Sequence, residues 1–168
     1  PRVFKGLSGM VEDGIVPGYY GYESGQTAGG DIYAWFIDRR VPPAYHERAE
    51  AEGVSLHEIL TQEARQLKPG ESGLLALDWW NGNRSILMDS DLSGMLVGAT
   101  LHTTPAEIYR ALIEATVFGT RRILQAYREN GVSVDHLIAC GGLPRQNPFV
   151  MQVFANACNM EIEVANST

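Results

Sequence analysis

One stretch of this 168-residue sequence, Thr104 to Asn130, constrains the fold more than any other. Thr104 is suited to a helix N-cap, Pro105 fits the first helical position, where no N–H is needed, and Glu107 completes a capping box. Ile108, Ala111, Leu112, Ala115, Phe118 and Ile123 or Leu124 recur at helical spacing behind it. Asn130-Gly131 supplies the stop. A long helix with one apolar stripe follows, and what flanks it decides the fold class.

The flanks alternate strand and helix. Val132 to Cys140 reads as a strand, buried over Leu137-Ile138-Ala139-Cys140, Gly141-Gly142 as a turn, Phe149 to Asn159 as a helix opened by Pro148, and Glu161 to Val164 as a last strand. Towards the N-terminus, Val3 to Val16 reads as small antiparallel strands with a hairpin at Asp13-Gly14. Tyr19 to Gln26 continues as strand into a glycine-rich turn. Asp31 to Arg39 reads as a helix with Ile32, Trp35 and Phe36 on one face and Asp31 placed to favour its start. Val41-Pro42-Pro43 ends that helix. The polar stretch 43–68, with only Leu56, Ile59 and Leu60 as its stripe, reads as a surface helical insertion. Gly73 to Leu77 reads as a buried strand leading into the loop Asp78-Trp79-Trp80-Asn81-Gly82-Asn83-Arg84. The expected class is α/β with a layered sheet.

Composition excludes several functions. A net charge of −7 argues against nucleic acid or an anionic membrane surface as partner. No run is long enough to span a membrane, and no leader is visible. Cys140 and Cys158 lie in apolar runs without metal spacing, which predicts buried free thiols in a reducing compartment, the cytoplasm. His46, His57, His102 and His136 fit no metal spacing, so no metal ligands are expected. Pro1 and the terminal Ala165-Asn166-Ser167-Thr168 predict a domain cut from something longer at both ends.

Candidate binding residues sit where strands meet helices. Gly141 and Gly142 let backbone approach a ligand closely, or simply make a tight turn. Asn147 is placed either to cap the next helix or to meet a ligand with an amide that donates and accepts. Glu23 is a carboxylate able to accept from two vicinal hydroxyls, or a surface strand residue paired with a lysine or arginine. Trp79, Trp80, Asn81 and Arg84 allow sugar stacking, or packing under a loop. Gln26 and Asp31 are candidates for supporting roles, Asp31 more simply as a helix cap.

Three stretches resemble the FGGY carbohydrate kinase family: Pro17 to Gln26 running on to Gly30-Asp31-Ile32-Tyr33-Ala34-Trp35-Phe36; Gly94-Met95-Leu96-Val97-Gly98 through Glu107-Ile108 to Ala111 and Glu114; and Gly141-Gly142 to Asn147. Ala99 and Leu112 depart from the family's signature but keep its apolar character. Within the family, the Glu23 segment and the Asp78-Trp79-Trp80-Asn81-Gly82-Asn83 loop resemble members acting on L-ribulose. The resemblance implies an actin-like ATPase (ribonuclease H-like) fold, a mixed sheet flanked by helices with the 43–68 insertion, over residues 1–168 as a C-terminal kinase domain. It implies transfer of the ATP γ-phosphoryl group, with Mg²⁺, to a ketopentose: L-ribulose first, with D-xylulose, D-ribulose or a polyol as alternatives. A non-catalytic nucleotide-binding module of the same fold is the alternative from another class. Gly29, Gly30, Gly141, Gly142 and Asn147 would meet the nucleotide and Glu23 the sugar. The aspartate base and the phosphate loops would lie upstream in an N-terminal kinase domain, so no catalytic residue is expected in this chain. The isolated chain would be inactive, and self-association as a homodimer is expected.

Overall fold

The structure is a computed structural model that describes residues 2–166. Pro1, Ser167 and Thr168, on which part of the expectation of cut ends rests, lie outside the described residues. The long helix, α4, spans Pro105–Glu129, preceded by the expected capping box: Thr104 Oγ1 accepts from Glu107 N, and Glu107 accepts from Thr104 N at 2.7 Å. Between Tyr109 and Val117 it is buried almost all round rather than along one stripe. A helix in that state must lie inside a shell of partners. Three helices form the shell: α1 (Asp31–Arg40), α3 (Leu56–Gln66) and α6 (Pro148–Cys158). Ile32, Tyr33 and Phe36 of α1, Leu60 and Ala64 of α3 and Val150 and Val153 of α6 meet Tyr109, Leu112, Ile113 and Val117 of α4 in one cluster. Phe118, expected on the buried stripe, is 53% exposed. It stands about 100° round the helix from Val117, outside the arc that the partners cover.

The stretch read as a surface insertion divides into α2 (Pro43–Glu52) and α3. The surface position holds for α2, whose one buried residue is Ala49. It does not hold for α3: Ile59, Leu60 and Ala64 are 0% exposed. Ser55 and Glu58 close a second capping box at its start.

Among the described residues, strands form three two-stranded ladders. β1 (Gly9–Glu12) pairs antiparallel with β2 (Tyr20–Glu23), β3 (Leu75–Leu77) antiparallel with β4 (Met95–Val97), and β5 (Leu137–Ala139) parallel with β6 (Ile162–Val164). Both strand directions are therefore present, with helices alongside. The hairpin expected at Asp13-Gly14 is instead a longer loop over 13–19, in which Asp13 takes φ 55° and its Oδ1 accepts from Gly18 N at 2.6 Å. β5 is shorter than the 132–140 run because its parallel pairing with β6 extends over three residues. β3 is buried on one face only: Ala76 packs on the helical core while Leu75 is 71% exposed. Alternation of side chains across a strand makes that unavoidable once α4 covers a single face. Cys158 is buried as expected, but Cys140 is exposed, since it lies past the end of β5.

Leu60→Ala should lower the unfolding free energy by about 3 kcal/mol, whereas Leu75→Ala should cost under about 1 kcal/mol. Urea denaturation of the two variants checks this, and equal small losses would contradict the burial of α3.

Candidate functional site

The core helices do not close on one another at every point. Between the start of α1, the polar face of α3 and the start of α6 lies a cavity of about 720 Å³, the scale of a small-molecule or cofactor site. Gly30 and Tyr33 form one wall. Glu58, Thr61, Gln62 and Arg65, at helical spacing on α3, form the second, with Ser55 and His57 at its rim. Leu143, Gln146, Asn147 and Pro148 form the third. The α3 wall was missed in the sequence because the stretch was read as a surface insertion. Its signal was the polar half of an amphipathic helix whose other half is Ile59, Leu60 and Ala64.

The third wall is built by a short helix, α5 (Gly142–Gln146), where a turn was expected. Gly141 takes φ +100°, a conformation that favours glycine. No protein atom lies within 4 Å of where a Cβ would stand on Gly29, Gly30 or Gly141, and on Gly142 the nearest is Gln146 Nε2 at 3.9 Å. The space beside these glycines is open to a ligand. Of the five residues expected to meet a nucleotide, the cavity wall includes Gly30 and Asn147; Gly29 and Gly142 adjoin lining residues in sequence, and Gly141 lies two positions before Leu143.

Asn147 is 8% exposed. Its Oδ1 accepts from Val150 N at 3.2 Å, and its Nδ2 donates to Thr61 Oγ1 at 2.9 Å. It is therefore the N-cap of α6 and a tie from α6 to α3, with one amide hydrogen left over. Phe149 follows, held between the guanidinium groups of Arg65 (5.6 Å) and Arg110 (5.1 Å). Arg110 is buried and pairs with Glu114 at 2.6 Å, which keeps its charge compensated. These contacts hold the first turn of α6 against the cavity.

Two titratable groups of the cavity are already engaged. The Glu58 carboxylate accepts from Ser55 N and Ser55 Oγ, and those bonds hold its pKa below the usual carboxylate range. His57 Nδ1 lies 3.1 Å from the Tyr109 hydroxyl, and desolvation lowers its pKa. Tyr33 carries a buried hydroxyl that lies near Thr116 yet makes no hydrogen bond, and burial pushes its pKa up. Among the described residues no group of three or more His, Cys, Asp or Glu side chains could hold a metal ion.

The remaining candidates lie elsewhere. Glu23 ends β2 at an exposed position and pairs with Arg84 at 2.6 Å, the arginine partnership named as its alternative. Trp80 packs on Trp35 (ring centroids 5.6 Å apart) and against Gly94, where a Cβ would stand 2.0 Å from the indole. Packing accounts for it. Asn81 Nδ2 donates to Thr27 O. Asp31 occupies the first turn of α1 without a capping bond; the N-cap position is Gly30. Gln26 is enclosed by hydrogen bonds from the body of the domain. Among the described residues no helix is long and apolar enough to cross a membrane.

Residues 3–168 match the C-terminal domain of the FGGY family of carbohydrate kinases. A ribulokinase of Geobacillus thermodenitrificans is 59% identical over 166 residues, 99% of this chain and 29% of that protein. A ribulokinase of Mycolicibacterium smegmatis is 46% identical over 167 residues, 99% of this chain and 30% of that protein. The chain thus spans less than a third of the length of these relatives. Among solved structures, glycerol kinase of Plasmodium falciparum with ADP superposes with a TM-score of 0.70 at 20% identity, over 88% of this chain and 27% of that one. Xylulose kinase of Rhodospirillum rubrum gives 0.67 at 21% identity, over 89% and 28%. At such identities the likeness shows the fold, the actin-like ATPase architecture of sugar kinases.

A histidine with a depressed folded pKa takes up its proton first in the unfolded chain. Its stabilising contribution is present above about pH 6.5 and is lost as pH falls through the lower folded value. The melting temperature should therefore fall less between pH 7.5 and pH 5 in His57→Gln than in the parent. An identical fall in both would contradict this.

Proposed function

Because the chain belongs to the FGGY family of carbohydrate kinases, we propose that it is the nucleotide-binding half of an ATP-dependent ketopentose kinase acting on L-ribulose. The cavity between α1, α3 and α6 carries the reading, because it has the size and the open glycine rim that a nucleotide needs. The ribulokinase name borne by relatives at 46–59% identity supports the choice of sugar.

In this reading the purine lies between α3 and Leu143, Gly141 and Gly142 border the ribose and α-phosphate, and Gly29 and Gly30 border the outer phosphates. Asn147 offers the base its one uncommitted amide hydrogen and, by capping α6, fixes Gln146 and Pro148 around it. Mg²⁺ enters with the phosphates, since no cluster among the described residues is built to hold it. ATP supplies the phosphoryl group, and this chain's part is to orient it. Arg84 holds one oxygen of Glu23; the other is left to accept from a sugar hydroxyl. The helix cap engages one oxygen of Glu58; the base is assigned to an N-terminal kinase domain, as are most sugar contacts, on the family resemblance. The domain spans 1–168, works in the cytoplasm and associates as a homodimer of the two-domain protein.

ADP release by the two-domain protein, with L-ribulose, D-ribulose, D-xylulose and glycerol supplied in turn, tests this. L-Ribulose should exceed each of the others in kcat/KM by about tenfold or more, equivalent to 1.4 kcal/mol or more. The isolated chain should turn over none. A preference for another sugar would overturn the substrate, and turnover by the isolated chain would overturn the division of labour.

A further inference from the structure

Residues 24–30 cross from the end of β2 to the start of α1 without regular structure. This crossing joins Glu23 to Gly29 and Gly30, so its path sets the distance between the proposed sugar and phosphate contacts. At its edge it is tied to the 81–85 loop: Gly25 N donates to Ser85 Oγ at 3.2 Å, and Thr27 Oγ1 to Gly82 O at 2.9 Å. Further in, Ser24 Oγ lies 3.1 Å from the Tyr127 hydroxyl, Ala28 is buried in the core, and Gln26 makes the most hydrogen bonds. The Nε2 of Gln26 donates to Asp78 Oδ2 at 2.6 Å and to Thr116 O at 2.8 Å, while Oε1 accepts from Thr120 Oγ1. Both amide hydrogens and the carbonyl are used, so the side chain has one orientation.

Two features of this tie work against stability. Asp78 is a partly buried carboxylate, and burial raises its pKa above the usual range. Gly119 lies well inside α4, where glycine costs about 1 kcal/mol relative to alanine. Its reason is steric: a Cβ there would stand 2.4 Å from Gln26 Nε2 and 2.7 Å from Asp78 Oδ2. A helix-weakening residue thus gives room to a partly buried carboxylate–amide pair. Local rules broken twice at one place mark a functional rather than a stabilising device.

We infer that Asp78 is a positioning residue for phosphoryl transfer, acting through Gln26 to fix the crossing that carries Glu23 and Gly29-Gly30. The inference rests on the assignment of those three residues proposed above. Misplacement of reacting groups by about 1 Å can cost on the order of 100-fold in rate; without Asp78, Gln26 keeps its bonds to Thr116 and Thr120 but loses the carboxylate that fixes its amide, which permits such a shift.

The test compares Asp78→Ala, Asp78→Asn and Gly119→Ala in the two-domain protein by two readouts, amide hydrogen exchange and steady-state kinetics with ATP and L-ribulose. In Asp78→Ala, exchange over residues 24–30 should quicken by about tenfold or more while α6 keeps its protection, and kcat should fall by about tenfold or more with the KM for ATP changed less than about threefold. Asp78→Asn retains an oxygen that accepts from Gln26, so it should restore most of both. Gly119→Ala displaces the pair without removing it and should reproduce the loss. If Asp78→Ala does not fold, Gly119→Ala against Asp78→Asn carries the comparison. Unchanged exchange over 24–30, or quickened exchange with unchanged kcat, would overturn the inference. A parent protein inactive on every sugar would overturn the functional reading instead, and the exchange comparison would still decide whether Asp78 fixes the crossing.

Discussion

Burial of α4 is the constraint from which the rest of the structure follows. From Tyr109 to Val117 the helix has little surface left for water, and apolar burial at roughly 25 cal/mol per Å² drives α1, α3 and α6 onto it. Arg110, a charge drawn into this shell, is tolerated because Glu114 lies one helical turn away and Phe149 lies beneath its guanidinium. The ladders are short by comparison, three or four residues each. The domain is organised around a helix, with its strands attached to that helical core.

The cavity is a consequence of the same arrangement. Three helices meeting a common partner contact it along their inner faces and diverge towards their ends. Asn147 and Thr61 bridge one such divergence, and Phe149 is fixed behind them by two arginines. The open side of the divergence is lined by polar side chains of α3 and by backbone that carries no Cβ at Gly30. A concave site therefore arises from this divergence, with a positive φ at Gly141 that glycine adopts readily.

Local chemistry was legible in the sequence; pairing across the chain was not. The Thr104–Glu107 capping box and the helix started by Pro148 are decided within a few residues and stand where their residues placed them; the turn read at Gly141-Gly142 gives way to α5 from Gly142 on. The depth of α3 was illegible because its stripe is thin. Ile59, Leu60 and Ala64 are too few to look like a core helix, yet they face α4 so squarely that they are sealed. The same blindness to partners put Phe118 and Cys140 inside. Asn147 was legible as a choice between cap and ligand contact; its second bond, to Thr61 86 residues earlier, was not, and it leaves one amide hydrogen uncommitted. The Gln26–Asp78 pair spans 52 residues; what could have pointed to it was the unexplained Gly119 in the middle of an otherwise strong helix.

The central claim is that a nucleotide occupies the cavity between α1, α3 and α6. A crystal structure of the two-domain protein with saturating ADP tests it most directly. The account predicts the purine between α3 and Leu143, with Gln146 and Asn147 beside it and the phosphates directed towards Gly29 and Gly30. Density for ADP at any other surface of this domain, or a cavity closed by side chains while ADP is bound elsewhere in the protein, would contradict it.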